Sequence, residues 1–397
     1  MADRFDTWWN DLQPIGRNPH NGGYRRFAWT AEDAVLREWY AGRCEQLGLD
    51  LTEDRMGNQW AWWGDPDARP GIATGSHLDS VPDGGAYDGP LGVISALIAV
   101  ERLQHGGFRP SRPIGVVNFG DEEGARFGVA CAGSRVITGA MAADRALGLT
   151  DADGISMAEA LRSTGRDPDR IGRDETTLNR IAAFVELHIE QGRAMIDLEA
   201  AVAVGTDIWP HGRWRIDLPG EANHAGTTRL VDRHDAMLSL ATMIRSAREV
   251  AGRHGCVATI GKVEVQPNGV NAIASGATAW LDVRGPVESD VQAAVNELRT
   301  AVDRLHGTFG EESWTPTTTF DTSLTERLQN SLGTGTPKLG TGAGHDAGIL
   351  ATAGIPAAML FVRNPTGVSH SPDEFAEQSD CLAGVDALTT VLQDLAG

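Results

Sequence analysis

The 397-residue sequence has only four cysteines, Cys44, Cys131, Cys256 and Cys381, and no two of them form a C-x-x-C pair. A disulfide scaffold and a thiolate zinc site are set aside, and reduced, buried thiols are expected. Basic residues are also short: 34 Lys and Arg stand against 54 Asp and Glu, a formal net charge of −20. Nucleic acid and anionic membranes recruit basic patches, so neither is expected as a partner. An anionic small molecule in a local basic pocket stays open. Long apolar runs are missing too. The longest, LGVISALIAV (91–100), is too short to span a bilayer and ends at Glu101. The opening MADRFDTWWNDL lacks the basic-then-apolar order of a secretion signal, so a soluble, cytoplasmic protein is the expectation. The glycine-rich loop at 84–92 holds neither G-x-G-x-x-G nor G-x-x-x-x-G-K-[ST], which removes dinucleotide and P-loop enzymes.

What is present is an ordinary globular composition, 41% hydrophobic and 22% charged, on a chain long enough for two cores. Short apolar runs read as buried strands: GIATG (71–75), IGVVNF (114–119), AAFVEL (182–187) and AAMLFV (357–362). Helical segments alternate with them, PLGVISALIAVERLQ (90–104) among them, with Pro90 suited to a first turn. That alternation predicts an α/β domain with a mostly parallel central sheet. The middle of the chain differs. WRIDLPG (214–220), a helix over 233–255, VATIGKVEV, ATAWLDVRG, a helix over 289–307 and ESWTPTTTF (312–320) follow a β-α-β-β-α-β order. This is the ferredoxin-like pattern. An inserted domain is therefore placed at 208–320, with the catalytic domain over 1–207 and 321–397.

In a parallel sheet, ligand groups collect beyond the carboxyl ends of the strands. The first strand runs into Ser76-His77-Leu78-Asp79, the second into Asp121-Glu122-Glu123, the third into His188-Ile189-Glu190, and Ser369-His370 follow the fourth. Gly, Asp and Pro are ordinary turn residues, so GSHLDSVPDGGAYDGPLGV (75–93) alone decides nothing. Four strands delivering His or acid to the same kind of place point to a metal site. Imidazole nitrogen and carboxylate oxygen suit zinc and similar divalent ions. The candidate ligands are His77, Asp88, Glu123, His188 and His370, with Asp79 placed to hold the other nitrogen of His77. Adjacent Glu122 is the candidate general base.

The set SHLDSV…AYDGPLGV, DEEGARF, ELHIEQG, GEANHAGTT, VNAI…LDVRG, GAGHDA and GVSHSPDE resembles the M20 metallopeptidase superfamily. Within it, the likeness is to the hydantoinase/carbamoylase branch, the amidohydrolases of allantoate and N-carbamoyl-L-amino acids. The resemblance implies two divalent ions per subunit (zinc, manganese, cobalt or nickel) bridged by Asp88, one taking His77 and His188, the other Glu123 and His370. It implies a cis peptide at Asp88–Gly89. It also implies that His224 stabilises the developing oxyanion, from the partner subunit of a homodimer formed through the inserted domain. Asn271 and Arg284 are implied to grip the substrate carboxylate, with Arg284 on the face it shares with Asp282. Glu190, Gln191 and His345 are implied to touch substrate, although His345 equally suits a turn cap.

Two positions depart from the pattern: Thr227-Thr228-Arg229 where relatives carry Thr-Thr-Pro, and Arg363-Asn364 shortly before His370. Either they turn specificity toward a more acidic substrate or they lie on the rim. The leading expectation is allantoate, a small carboxylated ureido compound. Beside it stand N-carbamoyl-, N-formyl- or N-formimino-amino acids, a dipeptidase or deacylase of the same superfamily, and a non-catalytic binding relative.

Overall fold

The computed structural model describes residues 2–397 and divides into two compact units. The larger comprises residues up to Asp207 together with Thr319–Gly397, and the smaller is Ile208–Thr318.

The larger unit is built on one sheet. Its strands are β1 (Asp50–Glu53), β2 (Gln59–Trp63), β3 (Gly71–His77), β4 (Ile114–Phe119), β5 (Ile181–Ile189) and β6 (Val202–Ile208). The smaller unit contributes β7 (His211–Pro219), β8 (Asn223–His224), β9 (Val257–Gln266), β10 (Ala272–Ile273), β11 (Gly276–Arg284) and β12 (Thr308–Thr315). After them come β13 (Thr318–Thr319), β14 (Lys338–Thr341) and β15 (Ala357–Val362). The large sheet has the order β1-β2-β4-β3-β5-β15-β6-β13, with β14 on β6. Its centre is parallel: β3 with β4 and β5, and β5 with β15. Toward the margins β1, β2 and β6 pair antiparallel with their neighbours.

The four central strands are apolar almost throughout because both faces are covered, so no alternation shows in them. Every residue of β3, β4 and β15 is buried. The helix Pro90–His105 has twelve buried residues, Pro90 to Val100 and Leu103, and packs into the same core as the C-terminal helix Gln378–Ala396. Each large apolar side chain so enclosed contributes roughly 1.5–3 kcal/mol. The four cysteines are free and buried. Among the described residues no helix is long and apolar enough to cross a membrane.

The smaller unit has a four-stranded antiparallel sheet of order β12-β7-β11-β9 and two long helices, Ala236–Arg253 and Glu288–Arg304. Strand β11 alternates half-buried and buried, so Ala277, Ala279, Leu281 and Val283 meet the helices in a core of their own. The stretch ESWTPTTTF, expected as one strand, is two. Pro316 has no N–H to give a ladder; before it β12 pairs with β7, and after it β13 joins the large sheet.

Candidate metal centre

The parallel register brings the strand ends level. Gly75 on β3 lies opposite Glu186 on β5, so two residues further His77 and His188 are neighbours, with ring centroids 5.9 Å apart. Both side chains are fully buried. His188 Nδ1 sits 2.8 Å from the Ile189 carbonyl and His77 Nδ1 3.1 Å from the Asp79 carbonyl. A carbonyl only accepts, so each Nδ1 carries the proton and each Nε2 keeps its lone pair. Those two Nε2 atoms are buried and have no hydrogen-bond partner. A buried nitrogen without a partner is costly, and coordination to a cation removes that cost.

Asp88 faces both sides of this cluster. Its Oδ1 is 3.1 Å from His188 Nε2 and 3.5 Å from His77 Nε2, while its Oδ2 is 3.5 Å from His370 Nε2. His370 Nε2 is also 3.5 Å from Glu123 Oε2. Two donor groups share Asp88: His77, Asp88 and His188, and Asp88, Glu123 and His370, each with ligand atoms within 4.8 Å of one another. The donor set of three imidazoles and two carboxylates suits borderline divalent ions. His370 differs in being half-exposed and lying on a loop, at φ 55°. Asn364 shapes that loop: its Oδ1 accepts from the Thr366 and Gly367 amides and its Nδ2 donates to the Val368 carbonyl.

The peptide between Asp88 and Gly89 is trans, against expectation; the one cis bond among the described residues is Gln266–Pro267. The turn that aims Asp88 is made instead by Gly89, at φ 86°. A Cβ there would lie 2.5 Å from the His77 ring, so only glycine fits on both counts.

Glu122 is buried, with Oε2 3.7 Å from His77 Nε2 and Oε1 accepting from the Cys131 thiol at 3.3 Å. Burial pushes its carboxyl well above the usual range; the charges of Asp346, Glu123 and Asp79 add to this, and His77 opposes it. Burial also raises Glu123, helped by Asp88. Carboxyls crowded and desolvated in this way are relieved by a nearby cation. The Asp79 carboxylate turns mainly to the acid pair: it accepts from the Glu122 and Glu123 amides at 3.2 and 3.0 Å, and lies 3.5 Å from His77 Nδ1. It thereby ties the β3 end to the β4 end.

Gln191 donates to Asp88 Oδ2 at 2.7 Å. Glu190 uses its two oxygens on the Ala194 and Met195 amides. His345 is buried, its ring 4.4 Å from that of His188, with neither nitrogen hydrogen-bonded. Burial and the neighbouring His188 keep it well below the usual imidazole range, hence neutral. As a turn cap it acts through its carbonyl, which accepts from Gly348.

His224, Asn271 and Arg284 belong to the smaller unit. His224 pairs with Ala272 across the β8–β10 ribbon, and the Ala225 amide donates to the Asn271 carbonyl, so these two sit at one exposed place. Arg284 ends β11 and donates to both oxygens of Asp282, at 2.7 and 3.0 Å. The two departures from the pattern are both ion-paired: Arg229 with Asp232, Arg363 with Asp380.

Sequence reasoning passed over Glu374. It is buried, and its Oε2 accepts from the Tyr87 and Asp88 amides at 2.9 and 3.0 Å. The signal was only its place, four residues after His370 in SHSPDE.

Comparison with known proteins identifies the family. Residues 73–394 match Peptidase family M20/M25/M40. The chain is 35% identical to the N-carbamoyl-L-amino acid amidohydrolase of Geobacillus stearothermophilus, over 97% of this chain and 96% of that one. It is 31% identical to the allantoate amidohydrolase of Escherichia coli (strain K12), over 97% and 96%. A solved amidase of the hydantoinase/carbamoylase family from Burkholderia multivorans superposes with a TM-score of 0.86 at 29% identity, covering 100% of this chain and 98% of that one. The fold and relatives define a hydrolase of carbon–nitrogen bonds other than peptide bonds, an amidohydrolase. The chain belongs to peptidase family M20/M25/M40.

Proposed function

We propose that the protein hydrolyses the ureido group of a small carboxylated substrate, with N-carbamoyl-L-amino acids as the first class and allantoate as the second. The observation that carries this is Asp88, whose two oxygens face two separate donor groups beside the buried Glu122. The order of substrates follows the relatives, 35% against 31% identity over equal shares of the chain.

His77, His188 and Asp88 would hold one divalent ion and Asp88, Glu123 and His370 a second. Such a pair supplies Lewis acidity that lowers the pKa of a water and polarises the carbonyl. Glu122, buried beside His77, takes the proton of the attacking water. It returns that proton to the departing nitrogen, so that an N-carbamoyl amino acid yields amino acid, ammonia and carbon dioxide. Asp79 fixes the acid pair by its two amide contacts. Arg284 and Asn271 grip the substrate carboxylate and His224 the oxyanion. Glu190 holds the turn after β5, Gln191 steadies Asp88, and neutral His345 packs the His188 ring.

We also assign a homodimer to the smaller unit. Strand β9 is an outer strand of its sheet and exposes Val257 and Val263; elsewhere in the smaller unit Leu230, Val231 and Leu238 are exposed. The unpaired backbone groups of an outer strand invite pairing with a second copy. Four free thiols support a cytoplasmic setting.

The test is a panel of N-carbamoyl- and N-formyl-amino acids, allantoate and dipeptides, assayed with zinc, manganese, cobalt or nickel. Ureido substrates are expected to turn over and dipeptides not. Glu122→Gln is expected to bind substrate while losing about 100- to 10,000-fold in kcat. No turnover of any ureido compound, or a fully active Glu122→Gln enzyme, rejects the proposal.

A further inference from the structure

Glu374 is a second buried acid drawn up against the strap that carries Asp88, and nothing in the chemistry above uses it. A packing role would be met by an apolar side chain without the cost of burying a carboxyl. The contacts are specific. One oxygen, Oε2, receives both the Tyr87 and the Asp88 amides, while Oε1 is buried without a hydrogen-bond partner. Gly85, on the same strap, leaves the side chain room: a Cβ at Gly85 would collide with the Glu374 carboxylate. Aromatic rings hold the flank. Tyr87 lies 4.6 Å from the Trp9 ring and 6.3 Å, edge-on, from the ring of Phe375, the residue next to Glu374. Glu374 itself is set by a turn in which its amide donates to the Ser371 carbonyl. That turn begins at the residue after His370.

We infer that Glu374 is a positioning residue that locks the Asp88 strap to the His370 loop, so that the two oxygens of Asp88 face both donor groups at once. The inference rests on the reading of Asp88 as the carboxylate shared by two ions. The lock works by acceptor geometry. The side chain spans from the His370 loop to two consecutive amides of the Asp88 strap, 286 residues earlier in the chain. Its removal frees both amides and releases the strap. Partners that orient ligand groups typically matter by about 10- to 100-fold.

The experiment compares Glu374→Gln, Glu374→Asp and Glu374→Ala with wild type, loaded with manganese. It reads kcat and KM on an N-carbamoyl amino acid, manganese affinity by calorimetry, and the paramagnetic resonance of the spin-coupled manganese pair. Gln keeps an oxygen at the same reach, so Glu374→Gln is expected within about threefold of wild type. Asp is one methylene short and Ala has no acceptor. Both are expected to lose kcat about 10- to 100-fold with KM little changed, weaken the second manganese, and lose the coupled signal. Where the alanine variant does not fold, the Gln and Asp variants decide. Wild-type kcat and coupling in the Ala or Asp variant, whatever their melting temperatures, overturn the inference. So does a Gln variant as impaired as Ala. A wild-type enzyme without a coupled pair overturns the shared-carboxylate reading and this inference with it, which separates the two failures.

Discussion

Asp54 gathers more donors than the carboxylates of the metal cluster do. Its Oδ1 accepts from the Met56, Gly57 and Asn58 amides at 2.9, 2.9 and 3.0 Å, and its Oδ2 from Asn58 Nδ2 and Trp60 Nε1 at 2.7 and 2.9 Å. Burial still outweighs these bonds and pushes its carboxyl from 3.8 up to about 6. The folded chain therefore binds this proton more tightly than the unfolded chain does. The contribution to stability is fully present below about pH 4 and is lost as pH rises through about 6. Its size is about 3 kcal/mol. Asp54→Asn is expected to lower overall stability, because an amide nitrogen would face donors. It should also remove that pH slope. Urea melts at several pH values check it: the gap between variant and wild type should be widest near pH 4 and level off above about 6.5. Parallel stability curves would refute the assignment. At this scale the sequence made the chemistry visible as residue type, His77, His188 and Glu122 being where strand ends put them. It hid Glu374, whose role lies in two backbone amides far away in the chain, and it hid the thiol of Cys131 against Glu122.

At the scale of elements, the four central strands were readable because interior parallel strands must be apolar on both faces, and IGVVNF and AAMLFV coincide with β4 and β15 to the residue. The break at Pro316 was not read, since a run of Thr residues suits a strand on either side of it. The conformation at Gly89 was misread as well: a turn that aims a carboxylate can be made by a glycine at positive φ, and residue type alone does not separate that from a rotated peptide. Gly89 starts the helix Pro90–His105 and touches His77. Gly89→Ala adds both left-handed strain, about 1–2 kcal/mol, and a collision with the imidazole. The variant is expected to fold on its large core yet bind divalent metal at least about tenfold more weakly. Calorimetric titration checks this, and unchanged affinity would show that the turn does not set the ligand geometry.

At the scale of the whole molecule, the β-α-β-β-α-β order of elements put the insertion at 208–320, and the smaller compact unit is Ile208–Thr318. Pairing with a second copy is an expectation that came only from a likeness. Leu238 and Val263 are exposed apolar side chains of the smaller unit on which that proposal is tested. A charged pair of changes, Leu238→Asp with Val263→Lys, is expected to turn a dimer into a monomer in sedimentation while the large unit melts as before. Wild-type protein sedimenting as a monomer at micromolar concentration would remove the dimer.

Strand β15 lies between β5 and β6 in the large sheet, although about 150 residues of chain separate it from β6. A ribosome delivers residues in order, and the smaller unit has all its strands before β15 emerges. The large sheet, by contrast, keeps a slot open beside His188 until the last fifth of the polypeptide has been made. Nascent chains thus finish the inserted piece first, and closing that slot is a late event on which assembly of the ligand cluster waits.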